Sequence, residues 1–168
     1  MDRDDPALFL GGIMIITEEL YRLTDAFDRY AVDYALCGGL AVAIHGRPRL
    51  TLDIDFVVPT EQMERAIATA ATVGFDDPSG WISLPSYKIG INRLYRVNKI
   101  EQGEFLTLDL LEADSSENAV FVDQECVDVE GKLIRLLSRV ALIKMKRASN
   151  RLKDQLDVEM LSDHSDER

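Results

Sequence analysis

The chain has 168 residues, 46% of them apolar and 29% charged, which suits one domain with a real core and excludes a disordered or rod-like protein. Its net charge of −11 argues against general affinity for nucleic acid, because phosphate backbones are met by a basic field. The first residues are acidic where a secretory leader would be basic, the apolar run 8–16 is too short to span a bilayer, and Cys37 and Cys126 have neither metal-site nor disulfide spacing, so a cytoplasmic setting without membrane contact is expected.

Residues 13–30 place Leu20, Leu23, Ala26 and Phe27 on one stripe and predict an amphipathic helix. A short strand at 34–37 runs into Gly38-Gly39, and 40–45 reads as a turn or two of helix stopped near Gly46 and Pro48. Residues 50–58, rich in branched and aromatic side chains and ended by Pro59, give the strongest strand signal. Thr60 is placed to cap a helix reaching about Val73, with Glu61 and Glu64 in its first turn. The Gly, Pro and Asp content of 75–85 predicts a loop or irregular edge.

Strands at 87–100 and 104–111 follow, joined by a turn at Gln102-Gly103, and a second hairpin pairs 126–129 with 133–136 through Glu130-Gly131. Ser138 can cap a helix to about Ser149, a last helix covers about 152–161, and the ends 1–12 and 162–168 are expected to be flexible. With no repeat and no linker, this order predicts a single α/β (α+β) domain with its core at about 15–161: a mixed sheet flanked by helices, with two helices at the carboxy terminus.

The chemistry is concentrated in the strand at 50–58. Side chains alternate along a strand, so Leu52, Ile54 and Phe56 are expected on one face and Asp53 and Asp55 on the other. Paired carboxylates on a strand suited to a sheet interior repel one another and lose hydration unless a cation stands between them, and hard oxygen ligands suit Mg²⁺ or Mn²⁺. Asp-x-Asp also occurs on solvated strands; Asp128-x-Glu130, beside the turn at Gly131, is read that way. Upstream, Gly38-Gly39 leaves a strand and opens a helix, where glycine permits close approach and free N–H groups favour phosphate.

Asp109 sits in the middle of an apolar strand, with Leu106, Leu108 and Leu110 on the core face and Thr107 beside it on the other. If that strand pairs beside the first, Asp109 joins the carboxylates and can serve a metal or act as base; the alternative is a solvent-facing edge residue. Residues 132–153 hold eight Lys or Arg and no acid. Within it, Arg139 and Lys146 share one helical stripe, and Lys144, Arg147 and, if the helix continues, Arg151 form another, able to meet a triphosphate or lie solvated. Arg49 stands near the acidic strand, where it can contact phosphate or balance nearby acids. His45 is expected to cap or pack, Trp81, Tyr87 and Tyr95 to pack or stack on a base, and Asp154 and Asp157 to hold Lys or Arg partners.

Gly38-Gly39, thirteen intervening residues and then Asp53-Ile54-Asp55 resemble the signature of the DNA polymerase β-like nucleotidyltransferase superfamily. Gly38-Gly39-Leu40-Ala41 with His45-Gly46, Arg49, Thr51 and the Asp pair is similar, more narrowly, to AbiEii-like toxin-type nucleotidyltransferases. Leu142-Ile143, Lys146, Arg151, Lys153-Asp154 and Asp157 resemble the helix pair closing such domains, so the likeness covers roughly residues 15–161.

The resemblance implies the nucleotidyltransferase fold and metal-dependent transfer of a nucleoside monophosphate from NTP to a hydroxyl. On it, Asp53, Asp55 and Asp109 are the metal ligands and catalytic acids, with Mg²⁺ or Mn²⁺ as cofactor. Gly38, Gly39, Arg49, Lys146 and Arg151 are the nucleotide-binding residues. The expected acceptor is tRNA or other RNA, or a partner protein, in a toxin–antitoxin system, with an antibiotic-type small molecule as the alternative; an antitoxin partner or a homodimer is expected from the chain's size. A non-catalytic binding module of the same fold is the alternative from another class.

Overall fold

The computed structural model describes residues 6–46, 51–84, 89–101, 103–114, 120–149 and 151–163. Helix α1 spans Pro6–Arg29, starting well ahead of the expected residue 13. Pro6 lies in the first turn, where a missing N–H forfeits no helical hydrogen bond. Strand β1 (Ala35–Cys37) leads directly into the short helix α2 (Gly38–Ile44), and β2 follows at Asp53–Pro59.

Thr60 does not cap the next helix. A 3₁₀ turn, Thr60–Gln62, precedes α3 (Met63–Ala71), and the Thr60 hydroxyl donates instead to the carbonyl of Ala113 across the sheet. The stretch expected to be loop or irregular edge contains a strand, β3 (Asp77–Ser83), whose pairing shifts register between Pro78 and Gly80. An edge position tolerates Pro78, because one side of the strand needs no ladder donor. Asn98 supplies a replacement link, donating to the Asp77 carbonyl at 3.1 Å and the Ser79 hydroxyl at 3.0 Å.

Strands β4 (Ile91–Glu101) and β5 (Glu104–Ala113) form the long hairpin, and β6 (Gln124–Val129) and β7 (Lys132–Leu137) the second. The latter turns where expected: Glu130 and Gly131 both have positive φ, 53° and 86°, as a tight twisted hairpin turn requires. Helix α4 (Arg139–Ser149) begins with the Ser138 hydroxyl accepting from the Ala141 N–H at 3.1 Å, and α5 is Leu152–Ser162.

The seven strands make one mixed sheet in the order β3-β4-β5-β2-β1-β7-β6. Strands β2 and β5 run parallel side by side, with Asp55 opposite Asp109. The core face of β2 and β5 carries Ile54, Phe56, Leu108 and Leu110, all fully buried. Phe27 of α1 closes on Tyr34 and Phe56, their ring centroids 5.2–5.5 Å apart. Each such aromatic or leucine contributes about 1.5–3 kcal/mol of burial, so this layer fixes which face of β2 points inward. Leu52 does not join it: it precedes the strand and is 59% exposed. No helix among the described residues is long and apolar enough to cross a membrane.

Candidate active site

With Ile54 and Phe56 anchored in the core, Asp53 and Asp55 turn to the opposite face, and the β2–β5 register brings Asp109 beside them. Strand β1 positions the glycines: Cys37 pairs with Asp55, so the chain leaving β1 passes directly over the Asp55 carboxyl. Gly38 there has φ +67°, and a Cβ on it would stand 2.1 Å from Asp55 Oδ2. Glycine is required twice over, for the left-handed backbone and for the space.

The acids have different surroundings. Asp53 is exposed, Asp55 is half-buried, and no described residue hydrogen-bonds the carboxyl of either. Burial, then the charges of Asp109 and Asp53, push the Asp55 carboxyl up to about 7, against the smaller opposing pull of Lys146 and Lys153. Asp109 is 4% exposed and is clasped by Arg96 of β4, whose Nε and Nη2 donate to Oδ1 and Oδ2 at 2.8 and 2.7 Å. Leaving a buried carboxylate unpaired would cost several kcal/mol, and this fork–fork pair offsets it. Among the described residues no three His, Cys, Asp or Glu side chains gather tightly enough to form a ready metal cage.

The cleft in front of these acids has a volume of about 250 Å³. Gly38, Gly39, Lys146, Arg151 and Lys153 line one part of it, and Ile82, Leu84, Leu94, Leu111 and Met145 give it an apolar bed. The sheet register explains that bed, since Leu111 and Leu94 follow two positions beyond Asp109 and Arg96 on the same face.

Lys146 is buried, and its ammonium is spoken for: Nζ donates to Asp154 Oδ1 at 2.9 Å and lies 2.9 Å from Asp157 Oδ2. Arg151, exposed at the start of α5, donates through Nε to Asp154 Oδ2 at 2.9 Å. It does not continue the stripe of α4, which ends at Ser149. Asp154 and Asp157 thus hold cations between α4 and α5, as expected. Burial alone would raise the Asp154 carboxyl, but hydrogen bonds from Ser149, Lys146 and Arg151 outweigh it and hold the group near 2.

Of the residues expected at the site, Asp53, Asp55, Asp109, Gly38, Gly39, Lys146 and Arg151 line this one cleft, while Arg49 lies outside the described residues. Trp81 and Tyr95 do not line it. They pack edge to face, centroids 5.4 Å apart, in register with Leu110 on the other face of the sheet, and Arg93 stacks on Trp81; Tyr87 is outside the described residues. His45 packs, its Nε2 3.0 Å from the Leu137 carbonyl. Arg96 and the apolar bed were not singled out from the sequence, and Lys153 entered only in the resemblance of the closing helix pair, not as a site residue. Arg96 was within reach: counting back from the turn at residues 102–103 pairs Glu101 with Glu104 and so Arg96 with Asp109.

No family model and no curated protein sequence matches the chain. Solved structures do. The lincosamide antibiotic adenylyltransferase LnuA, determined with lincomycin bound, superposes with a TM-score of 0.61 at 17% identity, over 86% of this chain and 95% of that one. The antibiotic-resistance factor ANT(2'')-Ia gives 0.59 at 18% identity over 89% and 84%. A Thermotoga maritima protein described as a nucleotidyltransferase gives 0.57 at 18% identity over 91% and 94%. The chain has the nucleotidyltransferase fold. At such identities the likeness carries the fold alone. The nucleotidyltransferase fold nonetheless agrees with what the local geometry offers, carboxylates on two paired strands facing a glycine turn and a patch of cations.

Proposed function

We propose that this chain is a metal-dependent nucleotidyltransferase that moves a nucleoside monophosphate from NTP to the hydroxyl of a small, neutral or cationic acceptor. The observation that carries the reaction is the pairing of Asp55 with Asp109 across two parallel strands, beside Asp53 and beneath Gly38. The donor set fits a hard divalent cation: Asp53 and Asp55 offer carboxylate oxygens that no described residue engages, and a bound cation would relieve the burial and the mutual repulsion that raise the Asp55 carboxyl. Asp53 and Asp55 would hold Mg²⁺ or Mn²⁺, which supplies charge neutralisation at the phosphates.

In this reading Lys153, with the ion-paired but exposed Arg151 beside it, attracts the triphosphate into the cleft, and the Gly38-Gly39 turn lets it come close to the backbone. The acceptor oxygen bonds to the α-phosphorus, the bond to pyrophosphate breaks, and the hydroxyl proton passes to Asp109 once the Arg96 fork frees one of its oxygens. The apolar bed seats the base or the acceptor skeleton. Holding both reactants in one cleft contributes most, since phosphoryl-type transfer needs position and charge more than covalent help.

The acceptor class rests on charge. Of the eight basic residues in 132–153, Lys132, Arg135, Lys146 and Arg151 are ion-paired with Asp25, Asp28, Asp33, Asp154 or Asp157, which halves the cationic charge that this stretch can offer on a chain of net charge −11. Two of the structural neighbours are antibiotic-modifying or resistance proteins, which is compatible with a small acceptor. A second reading, an RNA or partner-protein acceptor in a cytoplasmic toxin–antitoxin pair, is favoured by the toxin-type residue pattern around Gly38 and by exposed Lys144 and Arg147.

The test is a labelling assay. Each α-labelled NTP is offered with Mg²⁺ and, in separate lanes, aminoglycosides, lincosamides, total tRNA and cell protein, beside the Asp53→Asn/Asp55→Asn variant. Label on a small molecule that the variant fails to add supports the primary reading. Label on RNA or protein supports the second, and no label in any lane counts against both.

A further inference from the structure

Among the described residues, Arg96 alone hydrogen-bonds a carboxyl group of the cluster. Both its donors go to Asp109, and both Asp109 oxygens are engaged, while the Arg96 side chain stays 39% exposed toward the cleft. A cation arriving between Asp55 and Asp109 meets this guanidinium, and like charges repel strongly where water is scarce. Resting on the reading that Asp53 and Asp55 hold a divalent cation, we propose that Arg96 competes with that cation for Asp109. Arg96 then sets whether Asp109 is a neutralised structural partner or a third member of the metal site.

The same hairpin contains its own control. Arg93 makes an equally complete fork with Glu112, at 2.5 and 3.0 Å, but it lines no part of the cleft. A cross-strand pair whose only role is to hold the hairpin would behave alike at both places. Competition for a cation belongs to Arg96 only.

Mn²⁺ binding, followed without turnover by electron paramagnetic resonance and calorimetry, separates the cases. Wild type, Arg96→Gln, Asp109→Asn, the double variant and Arg93→Gln are compared, with Arg96→Lys keeping the charge but losing the fork should Arg96→Gln fold poorly. Releasing a charge-assisted pair is expected to tighten Mn²⁺ about tenfold in Arg96→Gln, less in Arg96→Lys, and not in Arg93→Gln. The gain should vanish when Asp109 is already Asn, because the two residues then no longer share a partner.

An unchanged affinity in Arg96→Gln overturns the inference and leaves the metal reading standing. So does a gain that persists in the Asp109→Asn background, since that is only the removal of a nearby positive charge. Mn²⁺ binding that survives in Asp53→Asn/Asp55→Asn, or its absence from both wild type and Arg96→Gln, overturns the metal reading itself and the inference with it.

Discussion

At Gly38 a single hydrogen atom separates a working arrangement from a clash. Gly38→Ala puts a Cβ 2.1 Å from Asp55 Oδ2 at φ +67°, so either the β1–α2 turn or the carboxyl has to move. The expected cost is about 1–3 kcal/mol in stability, read from urea midpoints, with loss of any transferase activity. An alanine variant with unchanged stability would mean the turn relaxes freely and the close approach is incidental. Asp55 itself carries the opposite sign. Its folded carboxyl, near 7, lies above its ordinary 3.8, so its contribution to stability is present below about pH 4 and lost as pH rises through about 7. Asp55→Asn keeps the shape under Gly38 and removes the repelling charge. In metal-free protein at pH 8 it should therefore gain about 1–2 kcal/mol, measured by thermal melting with chelator present, whereas saturating Mg²⁺ should narrow the gap.

Among the elements, the α4–α5 corner decides what Lys146 is for. The sequence pattern marked it as a nucleotide ligand and marked Asp154 and Asp157 as partners of Lys or Arg; the packing makes Lys146 the ion that holds them both. Lys146→Met strands buried carboxylates and should cost about 3–5 kcal/mol. A phosphate ligand would instead lose NTP affinity at nearly constant stability, so denaturation and nucleotide binding measured side by side distinguish the roles. The Asp154 carboxyl, held near 2 when folded against 3.8 ordinarily, stabilises fully above about pH 4 and ceases to do so as pH falls through about 2. Urea midpoints across that window should fall more steeply for wild type than for Asp154→Asn. Much of this level was legible in sequence: both hairpins, the Ser138 cap and the alternation that turns Asp53, Asp55 and Asp109 to one face follow from local chemistry. What was not legible depended on partners distant in the chain. Thr60 finds Ala113, and β3 exists because Tyr95 and Asn98 give 77–83 something to pair with. Arg96 was hidden for a weaker reason, since fixing the hairpin register at 101 and 104 suffices to place it opposite Asp109.

At the scale of the whole molecule the question is how a protein of net charge −11 meets its acceptor. The basic stretch 132–153 looked in sequence like a surface for polyanions. Folding pairs half of it internally: Lys132 goes to Asp25, Arg135 to Asp28 and Asp33, and Lys146 and Arg151 to the acids of α5. Those acids are far from their partners in sequence or beyond the stretch, so a window count of charge could not reveal the neutralisation. On the cleft side the exposed cations are Lys153 and the ion-paired Arg151, too sparse a row to track an RNA backbone, which demands a series of phosphate contacts. A net charge of −11 favours the approach of cations at long range. A cationic acceptor such as an aminoglycoside should therefore show a KM that rises severalfold from about 0.1 M to about 1 M salt, as the Debye length shrinks from ~10 Å to ~3 Å, with kcat little changed. A neutral acceptor would show a flat KM under the same titration. A KM for tRNA that is low at the lower salt and climbs steeply would reverse the argument. It would mean that exposed Lys144 and Arg147 of α4 outweigh the acidic residues of the chain.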